Sequence, residues 1–221
     1  MLSLFEISIF MIKAVIFDID GTLLDTTEFI YKAFEHTLKQ FGLSSISRNE
    51  IKPLMGQTLN DCYISLAPQI DTSILVESHR KFQENNLSLV IPYRHTAAVL
   101  SLLKSKGLKL IAITTRSKRT SLSTLKLTEI LDYFDLVLSE EDTLKPKPDP
   151  EGIEKVLKIF QIKKVDAIFV GDTESDMLAG KNAGVKTIGA TYGFHGKSIE
   201  DHNPDFLVDD IKEILPIVTR Q

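Results

Sequence analysis

Val15-Ile16-Phe17-Asp18-Ile19-Asp20-Gly21-Thr22 opens as an apolar run rich in β-branched residues and closes on two carboxylates and a glycine. The opening is the signature of a strand buried on both faces of a parallel sheet. Packing gives no reason for the ending, because two nearby carboxylates repel each other and resist desolvation. A cationic partner is therefore expected between them. Residues i and i+2 of an extended chain point to one face, so Asp18 and Asp20 can converge on one centre. Gly21 then lets the backbone turn sharply beside that centre.

Working outward, Thr26 to Phe41 reads as an amphipathic helix closed by Gly42. Further helical patterns follow near Asn49, from Leu59 to Leu66 and from Asp71 to Leu87, and no strand alternation precedes residue 95. Residues 26–95 are thus expected to form a helical insertion, bracketed by Asp25-Thr26 and Ile91-Pro92-Tyr93. Beyond it, strands and helices alternate. Strands are expected at 108–115, 135–139, 167–172, 187–191 and 206–208, and helices at 95–106, 118–127, 150–160, 175–182 and 211–218. The fold class this implies is α/β: a doubly wound, Rossmann-like parallel sheet formed by residues 1–25 and 96–221, with the helical unit inserted.

The 221 residues suffice for one large domain or a domain plus an insertion. A hydrophobic content of 43% and a charged content of 25% are ordinary for a soluble enzyme. The net charge of -4 argues against a nucleic-acid partner, which usually demands a basic surface. The single cysteine, Cys62, excludes an internal disulfide, fits a reducing cytoplasm and reads as a small packed residue. Residues 1–10 are apolar-rich but lack a basic start and a small-residue cleavage site, so no secretory leader is expected. Glu6 and Lys13 interrupt the apolar run, so no membrane span is expected either. Met11, just before the first strand, is an expected alternative start.

In doubly wound sheets ligands bind at the carboxyl ends of the strands. Asp18 with Asp20, Thr114, Lys145, and Asp172 with Asp176 all fall at or just beyond expected strand ends. Each alone has a plain reading: a helix cap, a satisfied backbone group, a lysine in a charged loop. Together on one edge they point to a site. Four carboxylates need a counter-charge. An oxygen-only ligand set without a thiol or histidine cluster suits Mg²⁺ before Zn²⁺. Lys145 adds positive charge and Thr114 a hydroxyl donor, which together make a phosphate site. The five histidines show no ligand spacing.

These stretches resemble the four motifs of the haloacid dehalogenase (HAD) superfamily: Asp18-Ile19-Asp20-Gly21-Thr22, the strand-terminal Thr114, Lys145-Pro146-Lys147-Pro148 and Gly171-Asp172-Thr173-Glu174-Ser175-Asp176. The likeness covers nearly the whole chain after Met11, and the insertion resembles the family's helical cap of the first type. The chain looks like the phosphoglycolate phosphatase branch. Ile113-Thr114-Thr115, residues 124–128 and Lys147-Pro148-Asp149-Pro150 resemble the bacterial HAD-type inorganic pyrophosphatases. The resemblance implies that Asp18 is a nucleophile forming an aspartyl phosphate, and that Asp20 moves protons to the leaving oxygen and from water. It implies that Thr114 and Lys145 hold the transferring phosphoryl group. The implied Mg²⁺ set is the Asp18 carboxylate, the Asp20 backbone carbonyl and the Asp172 carboxylate, with Asp176 supporting directly or through water.

Two details narrow the reaction that the resemblance implies. An acid at position 20 departs from the family's dehalogenases and ion pumps, and Gly171-Asp172 departs from the Glu-Asp usual in its β-phosphoglucomutases. Hydrolysis is therefore expected before phosphotransfer or isomerisation, with a nucleotide phosphatase as a further alternative and a non-catalytic phosphate-binding module least favoured. Thr115 stands where many members carry asparagine. A cap hinged near Asp25-Thr26 and Ile91-Tyr93 can open and close over the site. Met55-Gly56-Gln57-Thr58 resembles its site-facing segment, so Gly56 and Gln57 are candidate substrate contacts. Arg80, Lys81 and Arg94 can meet a second anionic group, although a solvated helix face is the plainer reading of each. Arg116 stands close enough to help hold an anion, whereas Lys118 and Arg119 read as solvent-facing. The expected partner is a small anionic phosphorylated substrate, with no nucleic acid and no membrane, acting on a monomer or homodimer.

Overall fold

The computed structural model describes residues 11–219. Residues 1–10, and with them the reading of that segment as neither leader nor span, lie outside the described residues. The opening apolar run forms β1 (Ala14–Phe17), buried along its whole length. β2 (Leu24–Asp25) follows, then α1 (Thr27–Gln40), α2 (Arg48–Ile51), α3 (Leu59–Leu66) and α4 (Thr72–Asn85), and β3 (Ile91–Pro92). The β2 and β3 strands pair antiparallel, Leu24 with Pro92 and Asp25 with Ile91, and close the stem of the insertion. The sequence predicts no strand between the opening one and residue 95. Two residues are too few to show an alternation, so this pair leaves no periodic trace.

The rest alternates as its pattern implies: α5 (Thr96–Ser105), β4 (Lys109–Ile113), α6 (Lys118–Leu127), β5 (Leu136–Leu138), α7 (Glu151–Phe160), β6 (Ala167–Gly171), α8 (Glu174–Ala183), β7 (Lys186–Ala190), β8 (Phe206–Val208) and α9 (Ile214–Val218). The sheet order is β5-β4-β1-β6-β7-β8, and every pairing in it is parallel. The pleat divides β1 between two cores. Val15 and Phe17 meet Val99, Leu100 and Leu103 of α5 and Leu125 of α6. Ala14 and Ile16 meet Ile153, Val156 and Leu157 of α7 and Ala179 and Ala183 of α8. Each such buried leucine, isoleucine or valine stabilises the fold by roughly 1.5–3 kcal/mol.

The inserted helices bury a cluster of their own, with Phe34 and Leu38 of α1 against Tyr63 of α3 and Leu75 of α4. Local signals start these helices. Thr58 accepts the Asp61 backbone N–H at the head of α3, and Asp71 that of Ser73 at the head of α4. In the main sheet β1 lies between β4 and β6, which the chain reaches in opposite directions from it. The carboxyl ends of these three neighbours therefore meet at the switch point of the sheet, where such folds bind ligands.

Candidate active site

Asp18 follows β1, Thr114 follows β4 and Asp172 follows β6, so strand order alone brings them to one edge. The Asp18 backbone N–H still donates to Val170 O at 2.9 Å, which holds the residue in register with β6. Asp18, Asp20, Thr114, Asp172 and Asp176 are all buried.

Asp172 is clamped from several sides. The Thr22 hydroxyl donates to its Oδ1 at 2.9 Å and the Phe194 N–H to its Oδ2 at 2.7 Å. Gly21 has φ of +84°, and a Cβ there would lie 2.2 Å from Asp172 Oδ2. Both the left-handed backbone and the missing space demand glycine. Asp176 is held by the start of α8. Its Oδ2 accepts from Thr173 Oγ1 at 2.6 Å, from Thr173 N at 3.0 Å and from Asp172 N at 3.2 Å, as part of a capping box.

The cation among these acids is Lys147. Its Nζ donates to Asp18 Oδ1 and to Asp176 Oδ1, each at 2.6 Å, and the side chain is 6% exposed. This corrects the expectation for Lys145, whose side chain is 71% exposed and whose Nζ faces Asp149 at 3.6 Å. The Lys145 N–H donates to Glu151 at the start of α7, which holds that residue on the outside of the loop. Both lysines sit in the same Lys-Pro-Lys-Pro run, and the one enclosed between two prolines turns inward.

Ligand oxygens of Asp18, Asp172 and Asp176 lie within 4.8 Å of one another. Three carboxylates against one ammonium leave two negative charges in a buried site, which a divalent cation would balance. The donor set fits: oxygen ligands only, among the described residues. Burial, helped by Asp176 and Asp20 and opposed by Lys147, pushes the Asp18 carboxyl up to about 7. Asp172 is raised well above the usual carboxylate range by burial and then by Asp176 and Asp18. Lys147 stays charged, since the pull of Asp176 and Asp18 outweighs its burial.

The Asp20 side chain points away from the three-carboxylate cluster. Its Oδ1 accepts from Arg116 Nη1 at 2.9 Å, and Thr114 Oγ1 donates to its Oδ2 at 3.4 Å. Only the carbonyl role that the resemblance implies for Asp20 remains compatible with this orientation.

Above Asp18 and Asp20 a cavity of about 60 Å³ separates the sheet edge from the inserted helices. Thr114 and Arg116 line it on one side, Gly56, Gln57 and Arg80 on the other. Gly56, with φ of +85°, packs so closely on α8 that a Cβ would lie 2.7 Å from Ser175 Oγ. The Gln57 amide donates to Pro53 O at 3.0 Å, and Arg80 pairs with Glu140. Asp18, Asp20, Thr114, Asp172, Asp176, Gly56, Gln57 and Arg80 therefore gather at the acidic cluster or around this cavity, whereas Lys145, Lys81 and Arg94 do not: all three are exposed. Sequence reading missed Lys147, the Thr22 hydroxyl and the Phe194 N–H. Thr22 directly follows the Asp-Gly turn and so carries a local signal; Phe194, from a distant loop, carries none.

A sequence model described as haloacid dehalogenase-like hydrolase matches residues 15–190. The chain belongs to that family. It is a hydrolase of the HAD kind, and its similarity to curated relatives runs almost end to end. It is 33% identical over 210 residues to Pyrophosphatase PpaX of Bacillus anthracis, covering 94% of this chain and 97% of the relative. Among solved structures, a haloacid dehalogenase-like hydrolase of Streptococcus pneumoniae matches with a TM-score of 0.84 at 26% identity, covering 93% of this chain and 98% of that one. A Haemophilus somnus protein described as a predicted phosphoglycolate phosphatase shares the fold, with a TM-score of 0.86 at 23% identity over 94% of this chain and 98% of that one. Among the described residues no helix is long and apolar enough to cross a membrane.

Proposed function

We propose that this HAD-family hydrolase is a Mg²⁺-dependent phosphohydrolase acting on pyrophosphate or on a monoester as small as phosphoglycolate. One observation carries the reading: Asp18 ends the central strand among two further buried carboxylates and a single lysine. The pyrophosphatase relative at 33% identity favours the anhydride among these substrates.

Asp18, Asp172 and Asp176 would hold the cation, with the Asp20 carbonyl. When bound, Mg²⁺ supplies charge neutralisation that lets an anionic phosphate approach the Asp18 carboxylate. Asp18 attacks phosphorus, a bond forms from its carboxylate oxygen, and the bond from phosphorus to the leaving oxygen breaks. Asp20 gives its proton to that oxygen. It then takes a proton from the water that attacks the aspartyl phosphate and frees Asp18. Lys147 and Thr114 hold the transferring phosphoryl oxygens, and Lys147 fixes Asp18 for attack. Phosphotransfer to a sugar hydroxyl is the rival outcome of the same intermediate. Residues 26–95 act as a cap over the site, hinged at the β2–β3 pair. The cavity in the closed arrangement has room only for a small substrate. A cytoplasmic location belongs to the same reading, supported by a single cysteine, Cys62, and hence no internal disulfide.

The test is phosphate release from pyrophosphate and a panel of phosphorylated metabolites, with Mg²⁺ and with EDTA. Mg²⁺-dependent release from pyrophosphate or a two- to three-carbon phosphate is expected. No release from any of them, or equal release in EDTA, overturns the reading.

A further inference from the structure

The chain leaving β7 turns tightly, the Gly193 N–H donating to Ala190 O at 3.4 Å, and meets the acidic edge at three successive residues. The Tyr192 hydroxyl donates to Thr22 O at 2.9 Å. Gly193 packs so closely that a Cβ would lie 2.3 Å from Asp172 Cβ and 2.4 Å from Gly21 O. The Phe194 N–H donates to Asp172 Oδ2 at 2.7 Å. Phosphoryl transfer itself makes no use of Tyr192, whose hydroxyl bonds to a backbone carbonyl and which lines no wall of the cavity.

Tyr192 acts on Asp172 through Thr22. Thr22 is wholly buried; its hydroxyl donates to Asp172 Oδ1 at 2.9 Å, and its carbonyl accepts from the phenol. The phenol therefore sets the peptide from which the Thr22 side chain reaches the carboxylate. The run Tyr192-Gly193-Phe194 thus bears on both Asp172 oxygens, on Oδ2 directly and on Oδ1 by way of Thr22. A carboxylate oxygen that accepts one hydrogen bond keeps a further lone pair for a cation. Tyr192 is itself anchored. Its ring meets that of Tyr93 edge-on, with centroids 4.9 Å apart and 68° between the planes, and the Tyr93 N–H donates to Leu23 O at 3.1 Å. With the ring already fixed, the hydroxyl gives up little freedom in reaching Thr22.

We propose that Tyr192 is a positioning residue for the metal-binding carboxylate: through Thr22 O it holds the Thr22 hydroxyl on Asp172, and with Gly193 and Phe194 it fixes the orientation in which Asp172 meets the cation. This rests on the Mg²⁺-dependent reading and adds to it a stretch of chain outside the four motifs. Groups that orient a ligand without touching the metal carry a large share of metal affinity.

The experiment titrates Mn²⁺, which shares the preference of Mg²⁺ for oxygen ligands, into the full chain without substrate and follows free Mn²⁺ by electron paramagnetic resonance. Loss of binding in Asp172→Asn locates the site. Tyr192→Phe keeps the ring and removes only the hydroxyl; it should weaken Mn²⁺ binding about 3- to 10-fold, the fold-change of one hydrogen bond. Thr22→Val removes the hydroxyl that touches Asp172 and should weaken binding by about 10-fold or more. Because Tyr192 works through Thr22, the double variant should bind no more weakly than Thr22→Val alone. Val218→Ala, which thins the core at α9, should leave the affinity unchanged. In turnover, the Mg²⁺ concentration for half-maximal rate should rise in Tyr192→Phe by the same factor as the Mn²⁺ dissociation constant. Its kcat at saturating Mg²⁺ should return to within about two-fold of the unaltered enzyme. Unchanged Mn²⁺ affinity in Tyr192→Phe, an effect that adds in full to that of Thr22→Val, an equal weakening in Val218→Ala, or a fall in kcat that saturating Mg²⁺ does not restore would each overturn the proposal and leave the metal reading intact. If the unaltered protein binds no Mn²⁺, or Asp172→Asn binds it equally well, the metal reading fails and the role of Tyr192 falls with it.

Discussion

At the sheet edge, Asp172 and Asp176 engage both oxygens of their carboxylates with donors of the protein itself, and Lys147 joins Asp18 to Asp176. Glycines pack against them so tightly that a methyl group has no room. Across the cavity the wall formed by the inserted helices is mostly apolar, with Leu54, Met55, Leu59 and Cys62, and Arg80 Nε and His79 Nε2 are buried there without a hydrogen-bond partner among the described residues. The first region is fixed by donors of the protein itself. The second leaves buried side-chain nitrogens without a protein partner. On the proposed reading, chemistry and selection would be carried by separate parts of one small site.

The comparison breaks most sharply at Lys147. Lys147→Met leaves three buried carboxylates without their cation, and turnover should fall by about 1,000-fold or more as positioning and charge are lost together. Steady-state phosphate release measures it; activity within a few-fold of the unaltered enzyme would mean that the edge does not depend on its internal cation. Gly21→Ala should destabilise by roughly 2 kcal/mol or more, because the new Cβ would sit 2.2 Å from Asp172 Oδ2 on a left-handed backbone. Urea unfolding reads this directly.

pH separates the two regions in opposite senses. Without divalent cations, Asp18 is raised from 3.8 to about 7, so the folded state binds more protons than the unfolded state in that window. That contribution to stability is present below pH 4 and lost as pH rises to 7. His79 is lowered from 6.5 to about 3, so its contribution is present above 6.5 and lost as pH falls toward 3. In EDTA, Asp18→Asn should therefore flatten the loss of thermal stability on the rising side. His79→Phe should flatten it on the falling side. If neither substitution changes the pH profile, these two groups do not govern it. The smallest effect is expected at Lys145, where Lys145→Ala should leave kcat/KM within about two-fold, because an exposed ion pair contributes little.

The layout of the sheet was legible because β1 is apolar on both faces and the later strands alternate with helices of matching stripe. The acidic positions were legible because carboxylates at strand ends have no packing purpose. Lys147 was misread for a physical reason: Lys-Pro-Lys-Pro offers two equivalent ammonium groups, and only the tertiary path of the loop sends one inward and leaves the other beside Asp149. The β2–β3 stem is two residues per strand and has no period to detect. Arg116 could be named from its place after β4. Its contacts depend on where Asp20 and Phe29 stand, which no local pattern encodes.

The central claim is that Asp18 takes the phosphoryl group and Asp20 lets water remove it. The direct measurement uses Asp20→Asn, mixed with Mg²⁺ and the best substrate of the panel, quenched in acid and mapped by peptide mass spectrometry. The account expects one phosphoryl group on the peptide holding Asp18, accumulating because its hydrolysis is slowed. Continued turnover with no phosphoryl group on Asp18, or its appearance on another residue, would contradict it.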